Sequence, residues 1–392
     1  MPRVRYRLLW ALVGVLCWVM FMVAERASDQ VSPWTRAALH PPLPFTSPPG
    51  DPIQEKNFIW SADDNAPPHL SQQAALHPPL PFTSPPGDPI QEETYTCSAV
   101  KSVPSHLSQQ FQVFLRYRHC RAFPTLLSPS PCENDLYLLL AVKSTAAQVE
   151  RRDALRDTWG QTSRIQGRRV KLVFLLARSD DQVHGHNIQT QLERENHRYG
   201  DILQWDFMDV FFNLTRKEIG FLSWFSRECR SAQFAFKGDD DVFVNTENLV
   251  EYLKGHKPEN HLFTGYIHTH GGPSRDTTSK YFIPVDIYPN ETYPPFPSGG
   301  GYLMSRQTVL DLHVTAQQIT LYPLDDVFVA FCLHKMGFTP THHDGFLTFG
   351  FSHGQNHYNP CAYRDIMVLH RMSSQHLRTM WPKIKTSVCP VS

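Results

Sequence analysis

The run LYLLLAV, residues 136–142, places seven apolar side chains in a row with no charge among them. A strand with one wet face alternates apolar and polar residues, so an unbroken run asks for cover on both faces. VKLVFLLA, residues 170–177, makes the same demand, as does QFAFKG, residues 233–238. Segments of helical character separate these runs. Thr145 and Gln148 have capping-box spacing and predict a helix through Trp159, closed by Gly160. A polar helix is expected over about 182–199, a strand from Asp201 and another helix over about 214–229. This alternation predicts an α/β fold with a mostly parallel central sheet and helices on both faces. Ligands of such sheets gather beyond the carboxyl ends of the strands.

The N-terminal third has a different character. Arg3, Arg5 and Arg7 precede residues 8–24, seventeen residues without a charge. A helix of that length spans about 26 Å, enough for the thinner bilayers of the early secretory pathway. The charge bias predicts a cytoplasmic tail at 1–7 and a signal anchor at 8–24, with all that follows in a lumen or outside the cell. A cleaved signal peptide is the competing reading, and bulky Phe21 and Met22 crowd its cleavage site. AALHPPLPFTSPPGDPIQE then occurs twice, at 37–55 and 74–92, within a tandemly duplicated unit of 37 residues. More than half of the 32 prolines fall between residues 31 and 131. Residues 25–110 therefore read as an extended stem, and 111–392 as a luminal catalytic domain.

Beyond Cys17, seven cysteines remain and no CxxC pair occurs, so a zinc ribbon is not expected and at least one thiol lacks an intrachain partner. Sequons at Asn213 and Asn290 suit the same compartment. Lys plus Arg equals Asp plus Glu, 37 each, so no net field steers the chain to nucleic acid.

KGDDDVFVN, residues 237–245, sets Asp239, Asp240 and Asp241 between two apolar segments at a strand's carboxyl end. A solvated acidic turn is the plain alternative. Flanks this apolar instead favour neutralisation by a cation, and hard oxygen ligands suit Mg²⁺ or Mn²⁺. An EF-hand is excluded, since Val244 and Val250 stand where its Gly and Glu would be. Asp325 and Asp326 precede a second apolar helix, where helix capping is their ordinary role. His268, His270, His353 and His357 have metal-like spacing but no HExxH helix around them, and read as loop residues.

Seven ordered motifs carry a family resemblance over residues 111–389: YRHCRAFP (117–124), RRDALRDTWG (151–160), GDILQWDFMDVFFNLTRK (200–217), KGDDDVFVN, YPPFPSGGGYLMS (293–305), YPLDDVFVAFCL (322–333) and NPCAYRDIMVLHR (359–371). The chain resembles the β1,3-N-acetylglucosaminyltransferases of glycosyltransferase family 31. The resemblance implies a GT-A type fold, a UDP-GlcNAc donor, Mn²⁺ or Mg²⁺, and an inverting transfer in β1,3 linkage to a terminal galactose. That galactose would end a core 1 O-glycan or N-acetyllactosamine on a glycoprotein or glycolipid. It further implies a single-pass type II protein of the Golgi membrane, in oligomers with other Golgi transferases. Carried over by motif, Asp241, Asp239 and His370 are metal ligands, Asp326 is the base and Asp325 stands nearer the acceptor. Asp239, Asp240, Arg151, Arg156, Lys217, Gly300 and Gly301 are expected at the nucleotide sugar. A tight turn is the other reading of the glycines. A β1,3-galactosyltransferase using UDP-Gal and a catalytically silent glycan-binding protein are the rival functions.

Overall fold

The computed structural model describes residues 97–390, apart from 162, 180, 182–183 and 353–354. The anchor, the duplicated stem up to residue 96 and His353 lie outside the described residues. Among the described residues, no helix is long and apolar enough to cross a membrane.

In chain order the elements are α1 (Gln109–Tyr117), β1 (Thr125–Leu127), β2 (Leu136–Lys143), α2 (Val149–Arg156), β3 (Ser163–Ile165), β4 (Arg168–Arg178), α3 (Gly185–Tyr199), β5 (Ile202–Met208), α4 (Leu214–Glu228), β6 (Phe234–Asp239), β7 (Val242–Val244) and α5 (Thr246–Leu253). There follow β8 (Phe263–His268), β9 (Phe296–Ser305), α6 (Arg306–Ala316), α7 (Asp325–Lys335), β10 (Thr341–His342), β11 (Phe346–Leu347), β12 (Val368–His370) and α8 (Ser374–Thr386).

The main sheet runs β1-β5-β4-β2-β6-β9-β8-β10, with β3 paired to β4. The pairs β5–β4, β4–β2 and β2–β6 are parallel, as the unbroken apolar runs require. β9 enters antiparallel between β6 and β8, so this half of the sheet is mixed. Every residue of β2 is buried. Leu139 and Ala141 join one apolar cluster, and Leu138, Leu140 and Val142 join the other, so each face of the strand has its own core. A small second sheet, β11-β12-β7, lies beside the carboxyl end of β6.

Several expectations are corrected. Gln148, without a side-chain cap, precedes α2, which ends at Arg156 rather than Trp159. Gln148 is itself the N-cap, so it cannot serve as the third residue of a box opened by Thr145; the Thr145 carbonyl instead accepts from the Gln148 amide and the Arg152 guanidinium. Gly160 still closes the turn: its amide reaches the Leu155 carbonyl, and a Cβ there would come within 2.9 Å of that oxygen. The folded unit also starts before residue 111. Cys97 is disulfide-bonded to Cys120, the Val100 amide bonds the Arg116 carbonyl, and Leu107 is buried in the core. Cys132–Cys229 and Cys361–Cys389 are the other disulfides among the described residues, and Cys332 is a buried free thiol, as the odd count required. The two sequons differ. Asn290 is exposed, whereas Asn213 is 6% exposed and its amide donates to the Met208 carbonyl, so the expected surface acceptor holds at one position only. His268 closes β8 and is not a loop residue.

Candidate active site

β6 ends at Asp239, and the chain turns through Asp240 and Asp241 into β7. The turn is fixed from behind, where the Trp159 indole donates to the Val242 carbonyl. β7 pairs with β12 so that Val242 lies opposite His370, which brings a residue 129 positions away beside Asp241. The His370 Nε2 is 3.2 Å from Asp241 Oδ1. Its Nδ1 lies 3.0 Å from the Thr348 carbonyl, a bond that orients the ring and, in the neutral form, leaves the Nε2 lone pair facing the aspartates. Ligand atoms of Asp239, Asp241 and His370 all lie within 4.8 Å of one another. Two carboxylates and one oriented imidazole form a donor set that fits a divalent cation with positions left for phosphate oxygens and water. Burial works against the Asp241 charge, yet His370 and Arg151 outweigh it and hold this carboxyl below its ordinary value.

Asp240 is held by protein groups on both of its oxygens. Its Oδ1 accepts from Arg151 at 2.8 Å and its Oδ2 from the Ser144 hydroxyl at 2.6 Å, so the side chain is turned into the protein. Burial is the main cause of its raised pKa. Arg151 is brought to the site through this contact and lies 3.6 Å from Asp241. Lys217 is buried, with its ammonium on Asp209 and the Ser144 carbonyl, so it supports the site from beneath. Arg156 is not brought there at all. Its guanidinium binds Asp201, Glu195 and Asp153, at the end of the sheet where β5 begins.

α7 presents its first turn to the same edge. Asp325 and Asp326 open this helix without a side-chain cap, and among the described residues Asp326 Oδ1 accepts from the next amide, Val327, at 2.8 Å. Lys143, the last residue of β2, is in register with Asp239 and joins the two acidic groups: its ammonium is 3.0 Å from Asp239 and 2.9 Å from Asp325. Behind it the buried Lys237 lies 3.6 Å from Asp325 and is paired with the buried Glu218. Burial alone would favour neutral Asp325, but the two lysines override it and hold its pKa far below the usual range. Asp326 is pushed the other way, to about 7, first by burial and then by the charge of Asp325.

The three glycines are strand, not turn: all lie within β9. A Cβ on Gly300 would press to 3.3 Å from the His370 ring, and Gly301 faces Gly238 across the sheet. A Cβ on Gly299 would lie 3.9 Å from each of Asp239 Oδ2, Asp326 Oδ2 and Lys143 Nζ. One unfilled spot therefore touches the acidic turn, the helix carboxylate and the lysine between them. Lys143, Ser144 and Thr348 were not singled out by the sequence reading. A lysine closing an otherwise apolar strand at its ligand-facing end was the available signal for the first.

A family model described as Galactosyltransferase matches residues 150–344. Over 272 residues the chain is 46% identical to the N-acetyllactosaminide beta-1,3-N-acetylglucosaminyltransferase 4 of Mus musculus, covering 69% of this chain and 76% of that one. Over 285 residues it is 44% identical to the UDP-GlcNAc:betaGal beta-1,3-N-acetylglucosaminyltransferase 7 of Rattus norvegicus, covering 71% and 72%. Among solved structures, the WbbM bifunctional glycosyltransferase aligns with a TM-score of 0.34 at 11% identity, over 63% of this chain and 47% of that one.

Proposed function

Because the chain belongs to the galactosyltransferase family and to its β1,3-N-acetylglucosaminyltransferases, an enzyme class that uses UDP-GlcNAc, we propose an inverting single displacement onto a terminal galactose, carried out on a GT-A type fold. Asp326 is the base. It takes the proton of the acceptor hydroxyl while that oxygen bonds to the anomeric carbon, and the bond from that carbon to the UDP oxygen breaks on the opposite face. A carboxylate whose pKa is about 7 is matched to this task near neutral pH. Asp239, Asp241 and His370 are the residues that would hold Mn²⁺ or Mg²⁺, which when bound supplies positive charge against the departing diphosphate. Lys143 and Arg151 bring further positive charge to the same side. The acceptor class we propose is a β-galactoside at the end of a core 1 O-glycan or N-acetyllactosamine, on glycoproteins or glycolipids. Residues 8–24 would anchor the enzyme as a type II protein in the Golgi membrane, with residues 25–96 as stem and the folded domain luminal, in the company of other Golgi transferases.

The observation that carries this reading is the convergence of Asp239, Asp326 and Lys143 on the side-chain-free point at Gly299. It gives the donor phosphates and the acceptor hydroxyl one shared space. The test is UDP release by the metal-stripped protein, with UDP-GlcNAc or UDP-Gal against β-galactosides, before and after Mn²⁺ is restored. Turnover with UDP-GlcNAc that needs the metal is expected, together with a metal-dependent rise in melting temperature. Undiminished turnover in the stripped protein would remove the metal assignment, and preference for UDP-Gal would change the donor.

A further inference from the structure

The connection into β9 and the loop after β11 carry aromatic side chains that the displacement does not use. They form one continuous strip leading away from the base. The Tyr293 hydroxyl is hydrogen-bonded at 2.7 Å to that of Tyr322, which lies four residues before Asp326 and leads into α7. Its ring meets Phe296 edge-on at 5.8 Å, and Phe296 stacks on His268 at 4.7 Å. His268 lies 5.0 Å from Tyr266 and 6.0 Å from Phe349, and Tyr266 and Phe349 meet at 5.5 Å. The strip passes from interior to solvent: Tyr293 is 7% exposed and Phe349 is 54% exposed.

A single exposed phenylalanine needs no explanation. Phe349 is different because it ends a connected series of rings that begins at Tyr293, bonded to the residue that leads into α7, and its neighbours Tyr266, His268 and Phe296 are each only partly covered. The sheet order also separates this strip from the phosphate-suited groups. β2, with Lys143, lies on one side of β6, whereas β9 and β8 lie on the other. The strip presents no Lys or Arg, and burial together with His342 holds His268 below its ordinary pKa, so its ring is neutral. Flat neutral rings suit a ligand with an apolar face and polar edges, which describes a pyranose better than a diphosphate.

Resting on the β-galactoside reading above, we propose that Tyr266, His268, Phe296 and Phe349 form an acceptor subsite that stacks on the sugar adjoining the terminal galactose. The galactose itself sits at Asp326, and the next ring lies over the strip. The enzyme therefore prefers an oligosaccharide end to an isolated galactoside.

The test compares N-acetyllactosamine with methyl β-galactoside as acceptors for the full chain and for Phe349→Ala, at saturating UDP-GlcNAc. The wild type should show a lower KM for the disaccharide. In the variant that advantage should shrink by about fivefold to tenfold, the size expected when one aromatic contact is lost. Phe349→Trp should preserve it. Should Phe349→Ala fail to fold, Phe349→Leu keeps apolar volume without a π face and carries the same expectation. A wild type that transfers to neither acceptor overturns the β-galactoside reading, and the subsite with it. A wild type that transfers to both, with a KM ratio unmoved by Phe349→Ala or with equal loss on both acceptors, overturns the subsite alone.

Discussion

Two acidic clusters face each other across the same edge of the sheet, and they differ in how cations are shared out. In the β6–β7 turn every carboxylate has a positive partner: Lys143 for Asp239, and Arg151 for Asp240 and Asp241, with the His370 ring also meeting Asp241. At the start of α7 both lysines, Lys143 and Lys237, go to Asp325. Among the described residues Asp326 has no ion-pair partner, only the amide of Val327. Asp325 is thus fixed as an anion, and its charge adds to burial in pushing Asp326 up to about 7. Chemically identical neighbours become a fixed anion and a proton acceptor because their partners differ. On the mechanism proposed above, the triplet would hold the cation and the pair would move the proton.

The strongest way to break this comparison is Asp326→Asn. With the acceptor proton left without a base, kcat should fall by about 10³-fold, within the range general bases contribute. UDP release at saturating substrates checks it. A loss of less than tenfold would mean that the pair at α7 does not carry the proton. In the wild type, kcat/KM should fall about tenfold per pH unit below about 7, because Asp326 must be ionised to accept.

A smaller and more discriminating effect is expected from Asp325→Asn. Its anion is the main charge raising Asp326, and its removal leaves the Lys143 ammonium, which lowers Asp326, less opposed. The acid limb of the kcat/KM profile should move to lower pH, by about one unit or more. A limb that stays in place, or moves upward, would show that burial and not the neighbouring charge sets the Asp326 pKa.

The architecture was legible in the sequence wherever one strong pattern decided it. Unbroken apolar runs gave β2, β4 and β6 to within a few residues, and the place of the triplet at a strand's carboxyl end followed from them. Direction was not legible. Asp240, Arg156 and Lys217 carry the right charge in the right motifs, yet Asp240 is turned onto Arg151 and Arg156 onto Asp201 across whole elements, and Lys217 onto the nearby Asp209. Lys237 and Glu218 are fully buried charges inside a strand and a helix, and nothing in their local sequence announces the pair they form. The β9 glycines look like a turn in sequence because what makes them strand is the pairing of Gly301 with Gly238. Local periodicity specifies elements, but partner choice is settled only when the sheet forms.

The smallest effect is one of stability, and its sign separates the two clusters. The folded state raises the Asp326 pKa to about 7, above that of an ordinary carboxylate. The fold therefore favours the protonated form. That stabilisation is fully present below about pH 4, where the unfolded chain is also protonated, and is lost as pH rises to about 7. A fully isolated group with this displacement would account for about 4 kcal/mol, but solvent contact and titration shared with Asp325 reduce it to about 1 kcal/mol. Asp326→Asn cannot ionise and keeps what the wild type loses. Relative to wild type it should gain stability from pH 4 to pH 7 and hold a constant advantage above that, about 2–4 °C in melting temperature. Asp241→Asn should behave in the opposite sense, because that carboxyl is held below its ordinary value and the folded state favours its charge. Its stabilisation is present above about pH 4 and lost on acidification, so the variant should melt below the wild type at neutral pH. Melting curves of both variants over pH 4–8, without added metal, decide it: the same sign of shift in the two would mean that the clusters differ in sequence position but not in electrostatic design.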